Sequence, residues 1–233
     1  MKFKVYSELD YIVPVPTTFI FNLHVARTTH QNIIEETLTI DPVYQIKEFS
    51  SPNKESIFTQ LCVNDKINFK IIYSAIVDLN YSFTDPEKLS KPVTFMEMGL
   101  DVIQYLYPSR YCQSDKLERL ARKEFNHFGT EYEKVSAINE WIYNNIEYLI
   151  GSTNSGTSAH DTLTERAGVC RDFAHLAIAL CRAISIPARY FTAYASNLFT
   201  PDFHACFEAY IGRHWVFFDP TKLVPANGII KIS

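Results

Sequence analysis

Residues 168–181 read GVCRDFAHLAIALC, and the fold of the second half of the chain turns on them. Phe173, Ala174, Ala177, Leu180 and Cys181 recur at spacings of three and four, which lays one apolar stripe along a helix. Cys170 falls in its first turn. With Gly168 as the expected N-cap, the unpaired N–H groups and the positive end of the dipole favour a thiolate there. Alone this is a weak sign, because free cysteines are mostly small buried hydrophobes. The segment downstream gives Cys170 partners.

Residues 201–211 (PDFHACFEAYI) alternate as a strand, and so does HWVFFDP from His214 onward. Gly212-Arg213 between them has the glycine-first composition of a tight type II′ turn. Such a turn sets Ile211 opposite His214, and carrying the register back sets Cys206 opposite Asp219. His204 and Asp219 then share a face as diagonal neighbours, with backbones roughly 7–8 Å apart, a gap their side chains close to a hydrogen bond. A histidine oriented by a carboxylate needs only a nucleophile alongside to become a triad.

GVCRDFAHL, IPARYFTAYA, FHACFEAYI and HWVFFDPT together resemble the transglutaminase-like superfamily of papain-like folds, with Cys, His and Asp in that order. The likeness runs from about Asn139 to Leu223 and is specific for the superfamily, not for the reaction. It implies Cys170 as nucleophile, His204 as base and Asp219 as orienting carboxylate. In related enzymes an aromatic residue upstream of the nucleophile helps shape the site, so Trp141 and Tyr148 are secondary substrate-binding candidates; Trp141 reads first as core. Arg189 matches the family's recurrent arginine and reads as structural. Arg171 and Asp172 also match, and Asp172 reads as a first-turn carboxylate complementing the dipole, with Arg171 pairing it or a neighbouring strand.

The 233 residues, 47% hydrophobic and 14% aromatic, suit one or two globular domains. A net charge of −4 and a pI near 6.0 leave no basic footprint for nucleic acid or an anionic membrane. MKFKVYSELDY lacks the apolar core of a signal peptide, and no run of about 18 apolar residues occurs. The expectation is a cytoplasmic protein; the oligomeric state is left unassigned. Five cysteines (62, 112, 170, 181 and 206) form no dense even framework, so no disulfides are expected.

From Lys2 to about Phe83 apolar residues alternate, as in Phe19, Phe21, Leu23 and Val25 or Ile67 through Leu79, with prolines 14, 16, 42 and 52 as punctuation. This predicts an antiparallel β-sandwich of six or seven strands, similar to the β-rich region that precedes the catalytic domain in bacterial transglutaminase-like proteins. The predicted fold is α+β: a β-sandwich over 1–84, then a papain-like, transglutaminase-like domain over 85–233 opened by a packed connector, 85–115. Residues 95–106 are a helix candidate in that connector. Ser114 and Thr130 are expected to cap helices over 115–127 and 131–148, and 150–161 reads as a polar loop able to gate the cleft.

Cys170, His175, Cys181, His204, Cys206 and His214 are available to zinc, but no CxxC or HxxxH pair occurs, so no metal or other cofactor is expected. Cys206, on a strand, is assigned to packing. His24, His30, His127 and His160 are expected to be solvated. The resemblance implies acyl transfer on amide bonds of peptide or protein substrates through a thioester. Hydrolysis by a peptidase or amidase is favoured, since no acidic cluster like the calcium sites of animal transglutaminases is present. Amine transfer by a transglutaminase, or a non-catalytic module that keeps the fold, are the alternatives.

Overall fold

The computed structural model describes residues 1–80, 84–198 and 202–233, so Phe83 and Pro201, where the sequence places strand ends, lie outside the described residues. The chain is an α+β protein of two compact units, Met1–Ser82 with Ile230–Ser233, and Phe83–Ile229. The last four residues thus belong with the first unit, not with the second where the sequence places them. Lys231 explains this: its carbonyl accepts from the Ala26 N–H (2.8 Å) and from Gln31 Nε2 (3.0 Å), and its N–H donates to Gln31 Oε1 (2.6 Å).

In the first unit β1 (Lys2–Val13), β2 (Thr17–Phe21), β3 (Gln31–Asp41), β4 (Ile46–Ser50), β5 (Ile57–Val63) and β6 (Ile67–Leu79) form two sheets, ordered β1-β6-β3 and β2-β5-β4. The pairings are antiparallel. Along β6 every second residue from Phe69 to Leu79 is buried, as period-two alternation requires. Phe19 and Phe21 of β2 meet Tyr11 of β1 and Phe69 of β6 at ring separations of 5.2–6.3 Å, which closes the sheets into a sandwich.

His24 is not solvated. Leu23 and Val25 on either side of it are buried, and the chain carries His24 inward with them. Its Nδ1 lies 3.3 Å from Glu36 of β3, and its Nε2 lies 3.4 Å from both Glu48 of β4 and Thr59 of β5. His30, His127 and His160 are exposed.

The second unit opens with α1 (Pro86–Leu89). The helix expected over 95–106 is three short pieces: a 3-10 turn at Phe95–Glu97, α2 (Leu100–Ile103) and a second 3-10 turn at Gln104–Leu106. Extended backbone at Met98 and Gly99 separates the first two. The connector is packed all the same, with Val93, Met98 and Val102 buried against Tyr210 and Trp215. α3 (Ser114–Phe125) takes Ser114 into its first turn, so Gln113 and not Ser114 is the N-cap. α4 (Glu131–Asn145) carries the expected Thr130 cap, closed by reciprocal bonds with Glu133. It stops short of 148 because the chain turns extended at Ile146 and Glu147–Tyr148 becomes β7.

α5 (Ala159–Glu165) starts inside the segment read as loop, where Ser158 and Asp161 make a capping box. β8 (Ala167–Gly168) pairs parallel with β7 and leads into α6 (Cys170–Ala183). β9 (Ala188–Ala195), β10 (His204–Ile211) and β11 (His214–Phe218) follow, with β10 antiparallel to both neighbours. α6 is buried along most of its length, against Leu117 and Ala121 of α3, Ile138 and Ile142 of α4, and Phe207 and Ala209 of β10. Among the described residues no helix is long and apolar enough to cross a membrane.

Candidate active site

β8 ends where α6 begins, and the joint sets the position of Cys170. Val169, extended, is the N-cap of α6; Gly168 is not, a correction to the sequence expectation. Gly168 makes room instead, because a Cβ there would lie 2.8 Å from Cβ of Asp172 and 3.3 Å from Cγ2 of Thr162. The space admits the Asp172 side chain, which is fully buried and accepts from the Val169 N–H at 2.9 Å. Arg171 donates to the same carboxylate through Nε (3.2 Å) and Nη2 (2.9 Å), and through Nη2 to the Asn154 carbonyl at 2.8 Å. Asp172 therefore locks the helix start and, through Arg171, the 150–158 segment. Asp172→Ala is expected to lower the unfolding free energy by about 2–3 kcal/mol, less than for a fully buried pair because Arg171 regains water. A urea midpoint shift at unchanged slope would record it; a change under about 0.5 kcal/mol would remove Asp172 from this role.

Cys170, half-buried, is the first residue of α6. His204 opens β10 and Asp219 follows β11 by one residue; both are buried. The register is the expected one, with Ile211 facing His214 and Phe207 facing Phe218. The turn differs. Gly212 and Arg213 have φ of +56° and +69°, which is type I′, not II′. Glycine fits the first position on two grounds, since a Cβ at Gly212 would also meet the Lys88 carbonyl oxygen at 2.1 Å.

His204 Nε2 lies 2.9 Å from Asp219 Oδ2. Thr221 fixes the other oxygen, donating to Oδ1 from its N–H (2.9 Å) and its Oγ1 (2.7 Å). The sequence reading missed Thr221; the run of Asp219, Pro220 and Thr221 was its only signal. Burial opposes charge on the His204 ring, yet the bond to Asp219 and the sulfurs of Cys170 and Cys206 outweigh it and raise the imidazolium pKa far above its ordinary value. Burial likewise works to raise the Asp219 carboxyl, and the bonds from His204 and Thr221 outweigh it and hold it below the usual range. His204 Nδ1 is buried with no partner at full hydrogen-bond geometry, so the ring has one nitrogen committed to Asp219 and one open.

Tyr148 and Trp141 part company. Tyr148 reaches the site by the β7–β8 pairing, which places it beside Gly168. There its pKa is raised by burial first and by the neighbouring Cys170 charge second. Trp141 instead packs into the core beside Phe125, with the Arg166 guanidinium over its ring at 5.1 Å. Arg189 bonds Glu208 at 2.7 Å and lies over the Trp215 ring at 4.2 Å, a structural arrangement. His175 sits between the rings of Tyr111 and Tyr190, and burial lowers its pKa to about 4. Cys206 is buried with Phe191, Ala193 and Val224, and burial pushes its thiol up to about 11.

The chain has relatives of known family and structure. The model of the transglutaminase-like superfamily matches residues 118–220, and that of the bacterial transglutaminase N-terminal domain matches residues 1–101. A crystal structure from Cytophaga hutchinsonii, described as a candidate cysteine protease, is 56% identical; the alignment covers all of this chain and 81% of that one, with a TM-score of 0.97. The chain belongs to the transglutaminase-like superfamily. An uncharacterised protein of Mycobacterium leprae is 24% identical over 95% of this chain and 83% of its own length. An uncharacterised protein of Mycobacterium tuberculosis is 45% identical over 56 residues, 24% of this chain and 18% of its own. The superfamily match of 118–220 contains Cys170, His204, Asp219 and Tyr148.

Proposed function

We propose that this transglutaminase-like chain is a cysteine-nucleophile acyl-transfer enzyme that cleaves amide bonds of peptide or protein substrates. The observation that carries the reading is the buried His204–Asp219 pair, with the open side of the imidazole available to a cysteine at a helix start. The Cys170 thiol passes its proton to His204, and the sulfur attacks the amide carbonyl and forms the C–S bond. Charge collects on the carbonyl oxygen, for which the Cys170 N–H at the start of α6 and the Tyr148 hydroxyl, beside Gly168, are the candidate donors. The C–N bond breaks as His204 gives its proton to the leaving amine, and a thioester remains. In the second half His204 takes a proton from water, the hydroxide forms the C–O bond as the C–S bond breaks, and His204 returns the proton to sulfur, so the carboxylic acid leaves and the thiol and neutral imidazole are restored.

One observation favours hydrolysis: the similar Cytophaga protein is described as a candidate cysteine protease. The superfamily match itself favours amine transfer as the second reading, because both outcomes share the thioester and differ only in what reaches it. Incubation with a peptide library and a labelled primary amine, read by mass, separates them. Cleaved peptides without label are expected. Predominant amine incorporation would replace hydrolysis with transfer, and neither product with Cys170 reduced would leave a non-catalytic module.

A further inference from the structure

Cys206 takes no part in either half of that reaction, yet it lies in the middle of the machinery. A ring nitrogen of His204, the Cys206 sulfur and a carboxylate oxygen of Asp219 all lie within 4.8 Å of one another, and all three residues are buried. Strand geometry makes the cluster: His204 and Cys206 are two apart on β10 and so share a face, and Asp219 follows β11 opposite them.

Bonds of about 2.0–2.3 Å from zinc to nitrogen, oxygen and sulfur at tetrahedral angles put ligand atoms roughly 3.3–3.7 Å apart. Side chains already within 4.8 Å close to that spacing by moving at most about 1.5 Å. Nε2 and Oδ2, at 2.9 Å, open by about 0.5 Å. Asp219 is supported as metal-binding carboxylates are: Thr221 holds Oδ1 twice over, while Oδ2, bonded to His204 Nε2 at 2.9 Å and accepting from the Val224 N–H at 3.4 Å, is the oxygen on the side of the ring. One thiolate, one imidazole and one carboxylate suit a borderline-soft divalent ion, not magnesium or calcium.

We propose that His204, Cys206 and Asp219 form an inhibitory site for a borderline-soft divalent cation such as zinc, with water as the fourth ligand. On binding, Cys206 loses its thiol proton to solvent and the imidazole binds through a nitrogen lone pair. Either the nitrogen that exchanges protons with Cys170 or the one bonded to Asp219 is taken, and proton transfer stops in both cases. The silencing rests on the catalytic reading above; the metal binding does not.

Cobalt titration of the reduced full chain reads the site directly. A thiolate-to-cobalt charge-transfer band with the visible bands of a tetrahedral ion is expected in the wild type and in Cys170→Ala. It should vanish in Cys206→Ala and Cys206→Val, each verified as folded by circular dichroism. No band in the wild type, a band that survives both Cys206 variants, or its loss in Cys170→Ala would overturn the site. In turnover, zinc should inhibit the wild type reversibly by EDTA, and inhibiting Cys206→Ala should need about 100-fold more zinc. An active enzyme equally zinc-sensitive with and without Cys206 overturns the proposal and leaves the triad standing. An inactive chain whose cobalt band follows Cys206 supports the site and removes only the catalytic reading.

Discussion

Cys170→Ala is expected to lower kcat/KM for amide hydrolysis by about 10⁴–10⁶-fold, the scale seen when a triad nucleophile is lost. The two other cysteines of this region are poor replacements. Cys181 is fully buried on α6 and burial raises its pKa, while the Cys206 thiol is pushed up to about 11. Stability should change little, because Cys170 is only half-buried and alanine is a good helix former at the start of α6. A kinetic assay on whichever peptide the library yields, with a melting curve alongside, makes the measurement. Residual activity within tenfold of wild type in a folded variant would place the nucleophile elsewhere.

The pairing of His204 with Asp219 was legible because it depends on local quantities alone: a two-residue turn, period-two alternation and counting. The type of that turn was not, because a glycine-first pair suggests II′ and nothing local shows Arg213 adopting φ of +69°. Gly168 was read as a cap for the same reason. Its true constraint is the Asp172 side chain, which fills the space only once α6 is in place. Periodicity through Ile142 and Ile146 overran the end of α4, since what stops that helix is a parallel pairing with residues some twenty positions on. That overrun also hid the difference between Trp141 and Tyr148, two upstream aromatics that only the β7–β8 pairing tells apart.

His24 had no motif to announce it; its carboxylates come from two strands of different sheets. The register did place Cys206 with His204 and Asp219, and the sequence reading assigned it to packing. Metal spacing rules look for ligands close along one chain segment, whereas here a strand supplies two at i and i+2 and the next strand's end supplies the third. Sheet register, once fixed, predicts such clusters as readily as it predicts the His204–Asp219 pair.

Asp219→Asn should leave the geometry of the hairpin in place and still lower kcat by about 10⁴-fold, the cost of offering the histidine a neutral partner and the wrong tautomer. The amide retains one oxygen for the Thr221 donors, but it gives His204 no negative charge and can present an N–H where an acceptor is required. The same substitution has a pH signature in stability. His204 is raised in the folded state, so its contribution is full below its ordinary value of 6.5 and is lost as pH climbs toward the folded value. Asp219 is lowered, so its contribution is present above its ordinary value of 3.8 and is lost as pH falls through the folded value. The wild type should therefore exceed Asp219→Asn in unfolding free energy most between about pH 4 and 6.5, with the gap narrowing on either side. Urea unfolding of both proteins from pH 3 to 9 measures it. A gap independent of pH would mean that His204 and Asp219 do not meet as an ion pair, and the imidazolium that the acyl-transfer mechanism requires would lose its support.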